Sequence, residues 1–351
     1  MRSTSSCRAC RSATRSSTSS ARTVACACSR RSRERRGHGH AVTTLADVRA
    51  AAARIRDHVH RTPVLTSSTL DGELGAQVFA KCENLQKVGA FKARGACNAV
   101  FSLDDAMAAR GVITHSSGNH AAALAYAARA RGIACAVVMP ETAPAVKVAA
   151  VRGYGAEIRF CKPAEREATC TAWQRERGAR LVHPFEDSDV IAGQGTAALE
   201  LLEQVPDLDL VVVPVGGGGL CAGTAVVVSS LRPQARVIAA EPLAVDDAAR
   251  SLATGRRQPR VEGATTWADG LLTGLGEPNF RLLIDHGVRV VTVDEPAIVA
   301  AATFFLQRMK LVVEPSAATV LAALRGIAPE LRGARIGIVL SGGNTDFGWL
   351  R

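Results

Sequence analysis

Eight short apolar segments, spread between residues 77 and 341, constrain the fold of this chain more than any other feature of its sequence. The later ones are apolar nearly throughout, which is typical of parallel strands that helices cover on both faces. Helical patterns and glycine-containing turns separate them, for example AAALAYAARARG (121–132) and AALELLEQV (197–205). This alternation predicts an α/β protein. The eight predicted strands are QVFAKCE (77–83), GVITHS (111–116), ACAVVMP (134–140), AEIRFC (156–161), LDLVVVPV (208–215), RVIAAE (236–241), VRVVTV (288–293) and RIGIVLS (335–341).

Length, hydropathy and charge predict a two-domain protein that binds neither a membrane nor nucleic acid. A chain of 351 residues exceeds the usual size of one domain, so we expect two. No apolar run reaches the roughly 18 to 20 residues of a membrane span, so we expect a soluble protein without a membrane partner. Ten Arg and one acidic residue, Glu34, lie within residues 1–40, which thus carry +9 of the formal charge of +11. The remaining residues have no basic excess that would favour nucleic acid as a partner.

Residues 1–40 are rich in Ser and poor in large aliphatic residues, so we expect them to be disordered. Arg-rich, Ser-rich, acid-poor N-termini are typical of plastid or mitochondrial transit peptides. The alternative is a misassigned start codon upstream of a cytoplasmic enzyme.

The ten cysteines do not predict a zinc site. Four of them lie in residues 1–40 without a second pair of zinc ligands, and the other six stand singly among apolar residues, as buried thiols do. They are Cys7, Cys10, Cys26 and Cys28, followed by Cys82, Cys97, Cys135, Cys161, Cys170 and Cys221.

Three loops that follow predicted strands carry the residues with chemistry. The first holds four glycines, 216–219, whose backbone N–H groups can converge on a phosphate at the start of a helix. It matches neither the dinucleotide-binding nor the Walker pattern. The second, SSGNH (116–120), also begins a helix and suits a substrate carboxylate, although helix N-capping alone is the usual reason for Ser and Asn there. The third, SGGN (341–344), places a hydroxyl at the end of a strand.

Lys92 lies in VGAFKARGAC (88–97), among apolar and small residues. Burial lowers the pKa of a lysine and favours Schiff-base chemistry. Together with the two anion-binding loops and the Ser341 hydroxyl, Lys92 predicts a single active site. Arg94 cannot take this role because its guanidinium does not deprotonate, so we expect it to be structural or electrostatic.

Residues 60–347 resemble the fold-type II pyridoxal-phosphate enzymes of the serine racemase and threonine dehydratase group. The resemblance implies two open, mostly parallel sheets covered by helices, as in the tryptophan synthase β subunit. It implies a large cofactor-binding domain at 41–110 and 188–351, a small substrate-binding domain at 111–187, and a homodimer. The resembling segments, in matching order, are TPVLTSSTL, KCENLQKVGAFKARGA, THSSGNHAAAL, IAGQGTAALELLEQVP, VPVGGGGL, AAEPLAVDDAARS, ADGL, EPSAA and LSGGNTD.

By this resemblance, Lys92 binds pyridoxal 5'-phosphate covalently, and Phe91 packs beside its pyridine ring. Asn119 binds the 3-oxygen of the cofactor. Ser341 faces the ring nitrogen, where a neutral hydroxyl moderates the electron sink and favours elimination and racemisation over transamination. Ser117 is the second catalytic base, on the face opposite Lys92. The phosphate site comprises Gly216, Gly217, Gly218, Gly219 and Leu220, and the substrate site comprises Ser116, Ser117, Asn119 and His120.

The same resemblance implies two further sites. A site for Mg²⁺ or Ca²⁺ is expected at Glu241, the Val245 carbonyl and Asp247, with a solvated acidic loop as the alternative. An ATP site at a subunit interface is expected at Ser67, Ser68, Thr69, Lys87, Lys310 and Asn344.

Four positions depart from the animal racemase pattern. Val88 and Ala122 replace polar residues around the expected ATP site. Phe185 replaces an Asn, and Ala90 replaces the Ser of GSFK, and both favour plant-type racemases or threo-3-hydroxyaspartate dehydratases.

We therefore predict a serine racemase with linked serine ammonia-lyase activity. A dehydratase for threonine or threo-3-hydroxyaspartate is the alternative within the same class. A non-catalytic protein that binds pyridoxal phosphate or a nucleotide is the alternative of another class.

Overall fold

A computed structural model of the chain describes residues 42–116, 118–143 and 145–350. The predicted transit segment and Ser117 lie outside the described residues. Within them, the strands are β1 (Val64–Leu65), β2 (Gln77–Lys81), β3 (Val112–His115), β4 (Cys135–Pro140), β5 (Glu157–Cys161), β6 (Arg180–Leu181), β7 (Leu210–Pro214), β8 (Arg236–Pro242), β9 (Arg289–Val293) and β10 (Arg335–Val339). The α-helices are α1 (Leu45–Ile55), α2 (Ser68–Leu74), α3 (Lys92–Phe101), α4 (Asp105–Ala109), α5 (Asn119–Arg131), α6 (Ala145–Gly153), α7 (Arg166–Arg177), α8 (Ser188–Gln204), α9 (Gly219–Leu231), α10 (Asp247–Thr254), α11 (Glu277–Asp285), α12 (Glu295–Phe304) and α13 (Pro315–Gly326).

The strands form two sheets, which confirms the predicted fold class. One has the order β1-β2-β10-β7-β8-β9, and the other has the order β5-β4-β3-β6. Every pairing is parallel except that of β1 with β2. All eight predicted strands are present. The four strands of the second sheet lie between residues 112 and 181, inside the predicted small domain, whose boundaries stay a prediction.

Helices cover both faces of each sheet, which is why the strands are apolar nearly throughout. Val212 of β7 packs in the same core as α12 and α13, and its neighbours Val211 and Val213 pack with α8 and α9. Alternate residues of a strand point to opposite faces, so both faces need apolar side chains. The second sheet is covered by α3, α5 and α6 on one face and by α7 on the other. Six cysteines in the described part of the chain are free and buried, as predicted.

Helix α8 begins nine residues before the predicted start at residue 197, because two glycines inside it do not end the helix. A Cβ added to Gly193 would lie 2.6 Å from the Cα of Gly95 in α3. A Cβ added to Gly195 would lie 3.0 Å from the carbonyl oxygen of Gly223 in α9. These glycines permit close helix packing against α3 and α9, at the usual cost of glycine within a helix. In the described residues, no helix has the length and apolarity needed to cross a membrane.

A buried ionic network fixes α3 against its neighbours. The Arg94 guanidinium, with no exposed surface, donates to both oxygens of Glu83, at 2.7 and 2.8 Å, and to both oxygens of Glu200, each at 2.8 Å. Lys81 Nζ, also fully buried, donates to Glu200 at 2.7 Å and to the Thr62 carbonyl at 2.8 Å. Two cations and two carboxylates balance in charge. The network joins β2, α3 and α8.

We expect Arg94→Met to lower the free energy of unfolding by about 3 to 5 kcal/mol, because it leaves buried carboxylates without their partner. Urea denaturation followed by intrinsic fluorescence measures this change. Arg61→Met is the matched control. It removes a half-exposed arginine that pairs with Glu203 at 2.7 Å, and we expect a change of about 0 to 1 kcal/mol. Equal changes in the two variants would contradict a structural role for the network.

Candidate active site

Lys92 is the first residue of α3, and two hydrogen bonds fix that end of the helix. The backbone N–H of Phe91, the N-cap residue, donates to the Ser341 carbonyl oxygen at 3.0 Å. The backbone N–H of Gly95 donates to Gln194 Oε1 of α8 at 3.1 Å. Lys92 and the loop after β10 are therefore held together.

The Lys92 amine has the electrostatic character expected of a nucleophile. Its Nζ donates to the Pro184 carbonyl oxygen at 2.9 Å and lies 5.1 Å from the centre of the Phe91 ring. Burial lowers the pKa of Lys92 to about 8, although the negative charge of Glu314 acts in the opposite direction. With this pKa, roughly a tenth of the amine is neutral at pH 7, and nucleophilic attack on a carbonyl requires that neutral form.

The four glycines between β7 and α9 form the glycine loop, residues 216–219. Side chains at these positions would collide with their surroundings. An added Cβ would lie 2.9 Å from Leu271 Cα at Gly216 and 2.3 Å from the Phe185 ring at Gly217. Gly218 has a φ of +90°, a conformation that favours glycine. The loop therefore needs glycine for packing and for backbone conformation.

The N-terminus of α9 offers donors to an anion. Gly218 is its N-cap, and in the part of the chain that the structure describes no side chain makes a capping bond there. The first N–H groups of a helix have no partner within the helix, and the helix dipole adds partial positive charge. Leu220, in the first turn, is buried. These features fit a phosphate group at the glycine loop.

The second loop also begins a helix without a capping side chain. Gly118 is the N-cap of α5 and makes no capping bond within the described residues; its N–H donates to Ser116 Oγ at 3.3 Å. As far as the described residues show, the start of α5 fits a carboxylate. Ser117, the predicted second base, lies outside the described residues, so its role stays a prediction.

His120 and Ser341 are both buried. His120 is 2% exposed, and its Nε2 lies 3.2 Å from the Val182 carbonyl oxygen, so Nε2 carries the proton. Burial lowers the pKa of His120 well below its usual value, which keeps the ring neutral. Ser341 is 3% exposed, directly beyond β10. The substrate role of His120 and the ring-nitrogen role of Ser341 stay predictions.

Glu314 is the main residue of the site to which the sequence analysis gave no role. It is 4% exposed, and Asn119 Nδ2 donates to both of its oxygens, at 3.1 and 3.0 Å. Burial raises the pKa of Glu314 to about 7. A Cβ on Gly342 would lie 2.7 Å from Glu314 Oε1, so the glycine after Ser341 makes room for this carboxylate. The segment EPSAA contained the signal, an acid directly before the proline that begins α13.

Asn119, predicted to bind the cofactor, is hydrogen-bonded to both Glu314 and Asn344. Besides donating to Glu314, it accepts a 2.9 Å hydrogen bond at Oδ1 from Asn344 Nδ2. Asn344 Nδ2 also donates to the Val88 carbonyl oxygen at 2.8 Å. Val88 has a φ of +56°, which is strained for a β-branched residue. The Asn119 amide nitrogen carries two N–H bonds, and the two oxygens of a single carboxylate need only one of them, so the binding of a cofactor 3-oxygen by Asn119 stays a prediction.

A cavity of about 650 Å³ lies beside Asn119 and Asn344 and is called the cleft cavity. Lys147 of α6 forms an ion pair with Asp269 at its wall, so residues beside the two sheets meet there. Its lining includes Val88, Gly118, Asn119, Ala122, Val146, Lys147, Tyr154, Trp267, Asp269, Asn344 and Trp349.

The predicted cation ligands lie together around the start of α10, and backbone groups occupy their oxygens. Glu241 accepts from the N–H groups of Ala248 and Ala249, each at 2.8 Å. Asp247 Oδ2 accepts from the Leu275 N–H at 2.8 Å. Burial raises the pKa of Glu241 to about 8 and also raises that of Asp247. Within the described residues, no cluster of three or more His, Cys, Asp or Glu side chains has metal-binding geometry. A cation here would depend on the Val245 carbonyl and water.

The residues predicted to bind a nucleotide are explained largely by local structure. Ser67 is the N-cap of α2 and accepts from the Leu70 N–H at 3.3 Å, with Ser68 and Thr69 in the first turn. Lys310 donates to the Gln307 carbonyl, and Lys87 lies in a short 3₁₀ turn. Asn344 is the member of this set that lines the cleft cavity.

These features fit the cofactor that the sequence resemblance implies. A half-buried amine with a pKa of about 8 can bind an aldehyde, and an uncapped helix start beside four tightly packed glycines can bind its phosphate.

The chain is similar in sequence and structure to serine racemases and to a beta-hydroxyaspartate dehydratase. The chain is 47% identical to the serine racemase of Dictyostelium discoideum over 87% of its own length and 96% of that protein. It is 48% identical to the beta-hydroxyaspartate dehydratase of Paracoccus denitrificans, over 87% of this chain and 97% of the relative. The structure of maize serine racemase matches with a TM-score of 0.85 and 44% identity, over 88% of this chain and 96% of the other.

The family model described as pyridoxal-phosphate dependent enzyme matches residues 55–342, which include Lys92, the glycine loop and Ser341. The chain therefore belongs to the family of pyridoxal-phosphate dependent enzymes.

Proposed function

We propose that this protein is a pyridoxal-phosphate dependent serine racemase with linked serine ammonia-lyase activity. The observation that carries the proposal is the position of Lys92, a lysine with a lowered pKa, near the glycine loop: Lys92 Nζ donates to the Pro184 carbonyl oxygen, and the ring of the next residue, Phe185, packs on the loop at Gly217. The identity of 47% to the Dictyostelium serine racemase over nearly all of that protein supports serine as substrate.

Different residues of the proposed site would bind the cofactor and the amino-acid substrate. The glycine loop and the start of α9 would hold the phosphate of the cofactor, and Lys92 would hold its aldehyde group. When bound, pyridoxal phosphate supplies the electron sink that makes the α-hydrogen of an amino acid acidic. Once the amino group of the substrate has displaced Lys92 from the aldehyde carbon, the freed Lys92 Nζ would accept that proton, which a pKa of about 8 allows near neutral pH.

The start of α5 orients the substrate. Its first N–H groups lie at the positive end of the helix dipole, no side chain of the described residues caps them, and they would bind the amino-acid carboxylate. We propose that Ser117 delivers a proton to the face opposite Lys92, which racemisation requires. The Lys147–Asp269 ion pair at the cleft cavity would hold the small-domain residues near the large sheet and limit the entry of water.

A dehydratase for threo-3-hydroxyaspartate or threonine is the second candidate. The identity of 48% to the Paracoccus beta-hydroxyaspartate dehydratase favours it, and so does Phe185, where animal racemases have Asn. Chiral product analysis with L-serine, D-serine, L-threonine and threo-3-hydroxyaspartate distinguishes the two. Turnover without formation of the opposite enantiomer would support the dehydratase, and no turnover of any of the four would support a non-catalytic binding protein.

The oligomeric state, the nucleotide site, the compartment and the cation site are also proposed from the sequence. We propose a homodimer and an ATP site at Ser67, Ser68, Thr69, Lys87, Lys310 and Asn344. We predict that the protein is cytoplasmic, or that it lies in a plastid or mitochondrion if residues 1–40 are a transit peptide. We further propose that Glu241, Asp247 and the Val245 carbonyl bind Mg²⁺ or Ca²⁺, because two buried carboxylates close together are stabilised as anions by a hard cation.

We expect Lys92→Ala to lose covalent attachment of pyridoxal phosphate and to lower turnover by about 100- to 10,000-fold, because it removes both the anchor and the base. Mass spectrometry after borohydride reduction measures the attachment. In the native protein, the rate of attachment should rise as the pH passes through about 8, where the Lys92 amine becomes neutral. Lys162→Ala, at an exposed lysine, is the control and should keep both properties. Attachment that persists in Lys92→Ala would refute the assignment.

We expect Ser117→Ala to lose racemisation and D-serine elimination while L-serine elimination remains measurable, because each enantiomer needs a base on a different face. If Ser117 only capped a helix, its loss would cost about 1 kcal/mol of stability and affect both enantiomers alike. Thr44→Ala provides that comparison, since Thr44 caps α1 by accepting from the Asp47 N–H at 3.3 Å. Equal losses with L- and D-serine in Ser117→Ala would favour the dehydratase.

We expect a chelator to lower the thermal stability and the activity of the native protein together, and Mg²⁺ or Ca²⁺ to restore both. Asp247→Asn should remove this response, because it keeps the shape of the ligand and loses its charge. Asp246→Asn is the matched control, since Asp246 forms an ion pair with Arg250 at 2.8 Å beside the site. A chelator response in Asp247→Asn as large as that of the native protein would show that the cation lies elsewhere.

A further inference from the structure

Asn279 lies in the first turn of α11 and touches the glycine loop from the side. It has no exposed surface. A Cβ on Gly218 would lie 2.8 Å from Asn279 Cβ, so the asparagine packs directly on the loop backbone. None of the roles described above for the site uses this residue.

The Asn279 amide joins two carbonyl groups from distant parts of the chain. Its Nδ2 donates to the Gly217 oxygen at 2.6 Å and to the Phe185 oxygen at 2.8 Å. The Gly276 N–H donates to the same Gly217 oxygen at 3.2 Å. Two donors from the start of α11 thus hold a single carbonyl of the glycine loop.

This arrangement determines the direction of a neighbouring donor. In a planar trans peptide, the N–H of one residue points opposite to the carbonyl of the residue before it. When the Gly217 carbonyl is held toward α11, the Gly218 N–H is directed away from α11. The positive φ of Gly218 then leads the chain into α9, whose first N–H groups are not capped by side chains of the described residues.

The same hydrogen bonds keep an oxygen away from the anion. A peptide flip that turned the Gly217 carbonyl toward the glycine-loop site would place a negative dipole end against the phosphate. Asn279 opposes that flip, because it would leave a buried amide donor and a buried carbonyl with fewer partners. The Phe185 carbonyl and ring, which also pack on the loop, limit its movement from the other side.

We propose that Asn279 is a positioning residue for the cofactor phosphate. It orients the peptide between Gly217 and Gly218, so that the glycine loop presents N–H groups to the phosphate before the cofactor binds. This inference rests on the proposed phosphate role of the glycine loop and is independent of which amino acid is the substrate.

The test compares two ligands that differ only by the phosphate. Equilibrium dialysis of the apoprotein gives the dissociation constants of pyridoxal phosphate and of pyridoxal, both of which react with Lys92. Asn279→Asp keeps the size of the side chain but places an acceptor against two carbonyls. We expect the dissociation constant of pyridoxal phosphate to rise by about 10-fold or more, because charge-assisted N–H bonds to the phosphate weaken. That of pyridoxal should change by less than about 3-fold, since it makes no phosphate contact.

Asn98→Asp is the matched control. Asn98 is also a buried asparagine, 1% exposed, whose Nδ2 donates to a backbone carbonyl, that of Asp189, at 2.7 Å. Its replacement should leave the ratio of the two dissociation constants unchanged. If Asn279→Asp does not fold, as judged by circular dichroism, Asn279→Ser replaces it, and the ratio should shift in the same direction.

Two results would overturn the inference. Equal weakening of both ligands would make Asn279 a general support of the fold, and an unchanged affinity for pyridoxal phosphate would show that the loop orients itself without it. Neither measurement requires turnover, so both stay informative even if the protein does not racemise serine.

Discussion

The buried ionic network around Arg94 is the interaction on which the rest of the site depends. Arg94 is in the first turn of α3, and its guanidinium is fully enclosed between Glu83 and Glu200. Buried charges are stable only with well-placed partners, so the network tolerates little displacement of the helix. Because Lys92 is the first residue of the same helix, the network also fixes the direction from which its amine enters the site. Hydrophobic packing alone would leave α3 freer to slide along α8.

The site is assembled from helix starts that meet at the carboxyl ends of parallel strands. Helix α9 follows β7 directly, α5 follows β3, and the start of α3 is bonded to the Ser341 carbonyl beyond β10. Helix N-termini carry partial positive charge and N–H groups without a partner inside the helix, so the proposed site would bind its two anions, a phosphate and a carboxylate, largely through backbone. Side chains are then left for proton transfer. Binding through the backbone also requires close packing. At each position of the glycine loop, the nearest atom to an added Cβ would lie at 2.3 to 3.2 Å, so only glycine fits.

Burial sets the protonation of the groups around Lys92. It lowers the pKa of Lys92 to about 8 and raises that of Glu314 to about 7, so both approach the physiological range from opposite sides. Glu314 is bound by Asn119, which also contacts Asn344 at the cleft cavity. Through these three residues, a change at the cavity can alter the hydrogen bonding of the Glu314 carboxylate, whose charge acts on the Lys92 amine. The strained Val88, held by Asn344, belongs to the same group of contacts.

The sequence by itself determined the α/β class and all eight of the longer strands, and it singled out Lys92 and the glycine loop as candidates, because these depend on local patterns: continuous apolar runs, glycine clusters and a lysine among small residues. It placed the start of α8 nine residues late, since Gly193 and Gly195 act as contacts with α3 and α9 rather than as helix ends. It also missed the two-residue strands β1 and β6, which are too short to show a pattern. Only the tertiary structure decided the partners of Arg94, the burial of Glu314 and His120, and the contact of Asn279 with Gly217. These depend on residues that are far apart in the chain, and no local pattern encodes which side chain meets which carbonyl once the helices have packed.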